Sequence, residues 1–130
     1  SESIRIDPSS AGAWYNRAFS HSSRKEWKLA IEDYTEFLKL CPDDAAAWFE
    51  RAVAKAEASD LKGALADYDV VLRFQPGNAD ALANRGGVKR ALGDRSGAAA
   101  DFEKALEVAP PDWPIRGAIQ RALEELRRNT

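Results

Sequence analysis

The chain has little with which to do chemistry. Its 130 residues include one cysteine, Cys41, and one histidine, His21. A lone thiol forms no intrachain disulfide and gives no sign of an oxidising compartment. One Cys and one His are also too few for a Cys/His zinc site, so no metal or cofactor is expected. No apolar run is long enough to cross a bilayer, and the short, polar stretch Ser1–Pro8 does not read as a secretory signal. Charge of one sign is missing too. Nineteen Lys and Arg stand against 21 Asp and Glu, a net charge of −2. That balance gives no basic face for nucleic acid. There is no glycine-rich phosphate loop, no H-E-x-x-H and no serine nucleophile elbow, so the chain reads as non-enzymatic. These exclusions fit a cytoplasmic protein. Methionine is absent altogether, even at position 1, which suggests a piece of a longer chain.

What is present is a repeat. Pro8, Pro42, Pro76 and Pro110 are spaced by 34, and a fixed period of that kind signals a repeat architecture. The same shift aligns Ala11, Ala45 and Ala79, then Trp14, Trp48 and Leu82, then Ala18, Ala52 and Gly86. It also aligns Ala30, Ala64 and Ala98, then Tyr34, Tyr68 and Phe102, then Leu38, Leu72 and Leu106. Each unit reads as two helices. Trp48, Phe49, Ala52, Val53 and Ala56 follow one helical face, and Leu61, Ala64, Leu65, Tyr68 and Leu72 follow the next. Asp60 and Asp94 can cap the second helix of their units, and Gly93 suits the turn before it. The corresponding turn in the first unit, Ser23-Arg24-Lys25-Glu26, is weaker turn chemistry. Pro76 ends its unit because proline lacks the amide donor and pushes its predecessor out of the helical region.

These units resemble the tetratricopeptide repeat (TPR), whose pattern runs W-x2-L-G-x2-Y, then A-x3-F, then P. Here it appears as Trp14…Ala18…Ala30-x3-Tyr34…Pro42 and as Trp48…Ala52…Ala64-x3-Tyr68…Pro76. The third unit reads Leu82…Gly86…Ala98-x3-Phe102…Pro110. The expected organisation is 11–44, 45–78 and 79–112 as three repeats, with 113–130 as a C-terminal capping helix. Ile4 and Ile6 fall in the columns of Leu38 and Leu40, so 1–10 reads as the end of a preceding helix or partial repeat. The resemblance implies an all-α, right-handed solenoid of helix-turn-helix repeats.

Two columns depart from the family. Arg17, Arg51 and Arg85 stand where it often has Leu, and His21, Lys55 and Lys89 where it has Tyr. In an antiparallel helix pair the arginines face Asp33, Asp67 and Asp101. The pairs Arg17–Asp33, Arg51–Asp67 and Arg85–Asp101 are therefore expected as structural ion pairs that set helix register. Two solvated charged faces are the alternative. His21, replacing an aromatic, is expected to pack. In the last segment Asp112, Trp113 and Pro114 read as a helix start. Ile115, Ala118, Ile119, Ala122, Leu123 and Leu126 then form the apolar stripe of a solenoid cap.

The resemblance also locates a site. In the family the first helix of each pair lines a concave face. On it this chain would place Tyr15, Asn16 and Phe19, then Phe49, Glu50 and Val53, then Asn84 and Arg90. Tyr15, Phe19 and Phe49 are more apolar surface than a solvated groove needs. Packing beneath a preceding segment is the other use for Phe19 and Phe49. The family's clamp for the C-terminal carboxylate of Hsp70 or Hsp90 needs Lys, Asn and Arg at set places. Tyr15, Phe19, Glu50, Asp80 and Asn84 occupy them here. With the register moved by one repeat, Asn16 fills the middle slot but Ala46 and Glu50 stand where cations belong. The expected function is a protein–protein interaction scaffold or adaptor without that clamp, binding a partner peptide or helix. The alternative is a structural spacer or self-association segment joined through its N-terminal end.

Overall fold

The computed structural model describes residues 11–128, so the reading of 1–10 lies outside the described residues. Seven helices follow one another, with no strand among the described residues. They are α1 (Ala11–Ser23), α2 (Trp27–Leu40), α3 (Ala45–Glu57), α4 (Leu61–Phe74), α5 (Ala79–Ala91), α6 (Arg95–Val108) and α7 (Arg116–Arg128). Each helix packs chiefly on its neighbours in sequence, which is the arrangement of an all-α solenoid.

Small residues make the stacking possible. Ala18, Ala30, Ala52, Ala64 and Ala98 are fully buried where the two helices of a hairpin cross. Tyr34, Tyr68 and Phe102 fill the space beside them. Ala47 and Ala54 on α3 are buried together with Phe37 and Tyr34 of the preceding hairpin. Ala81 and Val88 on α5 repeat this against Tyr68 and Val71. The apolar seam thus runs through the junctions as well as within the hairpins, so each unit covers a face its neighbour could not bury alone.

Local chemistry sets the helix ends. The side chains of Asp44, Asp60, Asn78 and Asp94 each accept from the backbone N–H three residues on, at Ala47, Gly63, Ala81 and Gly97. Each satisfies a donor that the first turn leaves open. The first unit has only Glu26 before α2, whose side chain makes no capping bond. The turn residue before the second helix of each hairpin lies in the left-handed region: φ is 61° at Lys25, 71° at Ser59 and 90° at Gly93. Only glycine adopts that region without steric cost.

The three arginine–aspartate columns meet inside the hairpins. Arg17 Nε and Nη2 donate to Asp33 at 2.8 and 2.9 Å. Arg51 does the same to Asp67 at 2.8 and 2.9 Å, and Arg85 to Asp101 at 2.9 and 2.8 Å. The three aspartates are the buried polar residues among those described. A second group approaches each carboxylate: Lys55 Nζ at 3.2 Å from Asp67, Lys89 Nζ at 3.3 Å from Asp101, and His21 Nε2 at 3.6 Å from Asp33. The other nitrogen of His21 lies 2.8 Å from Glu26 Oε1. The second departing column thus acts through charge and hydrogen bonding, and His21 is engaged at both nitrogens instead of packing like an aromatic. The arginines also tie hairpins together. Arg51 Nη1 donates to Thr35 Oγ1 at 3.0 Å, and Arg85 Nη1 to Asp69 Oδ1 at 2.9 Å.

The C-terminal segment differs from its reading. Residues 112–114 do not begin the helix; α7 starts at Arg116. Trp113 is buried in the third hairpin's core, and its Nε1 donates to Asp80 Oδ1 at 2.9 Å. The Arg116 guanidinium donates to the carbonyls of Leu106, Ala109 and Pro110, closing the end of α6. Ile119, Leu123 and Leu126 are buried against that core, whereas Ile115 and Ala118 are exposed. Ile115 precedes the first turn of α7, so helical spacing does not govern where it faces.

Lys25→Gly and Ser59→Gly should each stabilise the chain by about 0.5–1 kcal/mol in urea unfolding, by relieving left-handed strain. Removing Asp67 alone should cost about 3 kcal/mol, because Arg51 and Lys55 are left charged and half-buried without their partner. A double-mutant cycle on Arg51 and Asp67 should give a larger coupling than one on Arg17 and Asp33. The Arg17 side chain is 52% exposed against 13% for Arg51, and water screens the first pair.

Candidate functional site

The helices that open the hairpins, α1, α3 and α5, carry every groove residue named from the sequence. Two open hollows lie between α3 and α5. The first, of about 250 Å³, is walled by Ala45, Ala46, Phe49, Glu50 and Asp80, with Gln75 and Asn78 from the intervening turn. The second, of about 340 Å³, is walled by Val53, Ala56 and Glu57 on one side and by Ala83, Asn84 and Gly87 on the other, among others. Phe49, Glu50, Val53 and Asn84 are thus brought together. Arg90 is not among the wall residues; its guanidinium is held 2.9 Å from Glu125 of α7. Asn16 is exposed on α1 and lines neither hollow.

The aromatic residues divide by burial. Phe19 is 56% exposed, the largest value among the exposed large hydrophobic residues. Tyr15 is half-buried and meets Tyr34 and Phe37 edge-on, with ring centroids 5.6 and 5.2 Å apart. Phe49 meets Tyr68 in the same way at 5.7 Å. Such edge contacts fix ring orientation, so Tyr15 is held on α1 and Phe49 forms a rigid part of the first hollow's wall.

Tyr68 floors the second hollow and was missing from the sequence-derived site. Its column reads as core, and the rings of Tyr34 and Tyr68 are indeed core. The electrostatic coupling of both phenols to Glu50 links them to the groove, and periodicity carries no information about that. The Tyr34 hydroxyl is buried without a hydrogen-bond partner, while Tyr68 is bonded with Asn84. The chain's three tyrosines surround Glu50 electrostatically. Burial, reinforced by the charge of Glu50, raises all three phenols, Tyr34 and Tyr68 to about 12. The nearby Ser22 and the bond with Asn84 temper the rise at Tyr34 and Tyr68 respectively. Glu50 is itself raised above the ordinary carboxylate range by burial. Among the described residues no hydrogen bond or ion pair engages its carboxylate. There is no cluster of metal-ligating side chains among the described residues.

These shifts set a pH dependence. A phenol whose folded pKa is raised keeps its proton after the unfolded chain has lost its own. Its contribution to stability is therefore whole below pH 10.0 and is lost as pH climbs through about 12. Chemical unfolding followed across that window should show stability falling. Phenolate absorbance of the folded protein should rise earlier in Glu50→Gln than in the parent, with burial still holding most of the shift.

Comparison with known proteins agrees with this architecture. Family models described as tetratricopeptide repeat match residues 11–44 and 79–112, together more than half of the chain. No curated protein matches the sequence. Among solved structures, the TPR domain of Arabidopsis OM64 is 25% identical, with a TM-score of 0.84 over 94% of this chain and 98% of that one. The first TPR domain of Spaghetti, bound to an HSP90 peptide, is 20% identical, with a TM-score of 0.83 over 97% of each chain. The TPR2B domain of yeast Sti1, in complex with pHsp70, is 19% identical, with a TM-score of 0.84 over 92% and 98%. With its capped hairpins, its alanine crossings and its continuous seam, the chain belongs to the tetratricopeptide repeat family and folds as an all-α TPR solenoid.

Proposed function

We propose that this chain is a non-catalytic protein–protein interaction module that takes an extended or helical segment of a partner into the face shared by α1, α3 and α5. Two observations carry the reading: the Phe19 ring stands 56% exposed on α1, and two hollows edged by Phe49 and Val53 open between α3 and α5. An exposed aromatic residue together with a rigid, partly apolar wall offers an anchor of the kind that dominates interface energies. Related solenoids point the same way: the Spaghetti domain was solved with an HSP90 peptide and the Sti1 domain with pHsp70.

The same reading gives the module a partner unlike theirs. Tyr15, Phe19, Glu50, Asp80 and Asn84 supply none of the cations that a carboxylate clamp requires. Glu50 would repel a terminal carboxylate at the place where the family's clamp attracts it. No helix among the described residues is long and apolar enough to cross a membrane.

Affinity capture with the folded chain tests the proposal. Phe19→Ala removes an exposed ring and should leave the fold intact. It should weaken partner capture by about tenfold or more, as loss of a central anchor does. Phe49→Ala should act in the same direction, with circular dichroism checking that the loss of its contact with Tyr68 has not disturbed the helices. Undiminished capture by a correctly folded double variant overturns the groove as the binding face.

A further inference from the structure

The groove reading leaves the partner's chemistry open, and the distribution of charge narrows it. Three carboxylates line the two hollows, Glu50, Asp80 and Glu57, and no lysine or arginine does. The cations that the sequence places nearby are engaged elsewhere. Lys55 and Lys89 turn inward to Asp67 and Asp101, and Arg90 is held by Glu125. Asp80 accepts from the indole of Trp113. Glu50 alone is partly buried and has no donor among the described residues.

A second observation is independent of charge counting. The Tyr34 hydroxyl is 0% exposed and has no hydrogen-bond partner. It lies within electrostatic reach of both Glu50 and Tyr15. A buried polar group left unbonded costs free energy, and so does a carboxylate taken from water without a donor. Of the two, Glu50 lines a hollow, and the Tyr34 hydroxyl lies in the core and cannot be reached from it. The Glu50 carboxylate is an acceptor at the first hollow, and an occupant that carries N–H donors and a positive charge would relieve it.

We propose that the groove selects a partner segment bearing a lysine or arginine, whose cationic head sets on Glu50 while its neighbouring apolar residues lie along Phe49 and Val53. This rests on the groove being the binding face. An aromatic wall suits such a head group, because Phe49 lines the same hollow as Glu50 and presents a ring on which a cation or its alkyl stem can lie. Glu57 and Asp80 add attraction at the two hollows, and a segment rich in Asp or Glu is turned away. The occupant is therefore opposite in charge to a free chain terminus of the carboxylate kind.

The probes are three blocked dodecapeptides in which leucine alternates with lysine, with glutamine or with glutamate, each carrying a fluorophore for anisotropy. The lysine peptide should bind at least about tenfold more tightly than the glutamine one, and the glutamate peptide most weakly. Its affinity should fall as salt is raised. Glu50→Gln should weaken the lysine peptide by about fivefold to tenfold and so erase most of its advantage over the glutamine peptide. Glu32→Gln, at an exposed carboxylate on α2 outside the hollows, should leave all three unchanged, separating the site from diffuse attraction. Equal binding of the lysine and glutamine peptides, or no binding of the lysine peptide up to ~1 mM, overturns the inference. If equal binding is still weakened by Phe19→Ala, the groove stands and only its preference for a cation fails. If Phe19→Ala and Phe49→Ala leave lysine-peptide binding intact, the groove fails as well.

Discussion

A carboxylate buried in the middle of each hairpin is the constraint on which the rest of the molecule depends. Asp33, Asp67 and Asp101 are withdrawn from water, and an isolated buried charge is costly enough to unfold a small unit. The cost is met by a bidentate arginine from the opposite helix, and a second basic group stands beside it. Because the arginine fork bonds both carboxylate oxygens in one plane, it admits one helix register. In the second and third hairpins its remaining nitrogen reaches back to Thr35 or Asp69. One side chain therefore fixes both the pairing within a hairpin and the seating of that hairpin on the one before it.

That arrangement governs the character of the groove. Lys55 and Lys89 occupy a column that borders the shared face of α3 and α5, and the buried aspartates draw them inward. Arg90 is claimed by Glu125 on α7. The carboxylates of Glu50 and Glu57 have no comparable interior partner and remain at the surface of the hollows. A chain with nearly balanced total charge thus acquires a locally acidic groove through where its cations are held. Net charge alone says nothing of this, since it averages interior and surface.

The C-terminal segment contributes to the same face. Trp113 enters the core of the third hairpin and donates to Asp80, whose carboxylate edges the first hollow. Arg116 takes up the orphan carbonyls at the end of α6, which ties α7 to the helix it covers. Gly86 serves the packing from the other side. A Cβ there would fall 2.7 Å from the Phe102 ring, so the close approach of α5 to α6 requires glycine where the earlier hairpins have Ala18 and Ala52. The wall bearing Asn84 and Gly87 owes its position to these contacts.

The fold was legible because its signals are periodic. The spacing of 34, the proline and alanine columns, and caps such as Asp60 and Asp94 are properties of sequence order. Hairpins so short must bury their faces on one another, so an all-α solenoid follows from amino-acid order alone. The contents of the groove were only half legible. Helical spacing puts Phe49, Glu50 and Val53 on one face, but it cannot say which rings lie flat in a wall and which, like Phe19, stand in water. Nor could it show Trp113 leaving the helical pattern to reach Asp80, or Lys55 and Lys89 turning inward. Those outcomes depend on which partners are near once the hairpins are stacked. Electrostatic and hydrogen-bonding choices between residues distant in sequence are made by three-dimensional proximity, and only the tertiary structure supplies it.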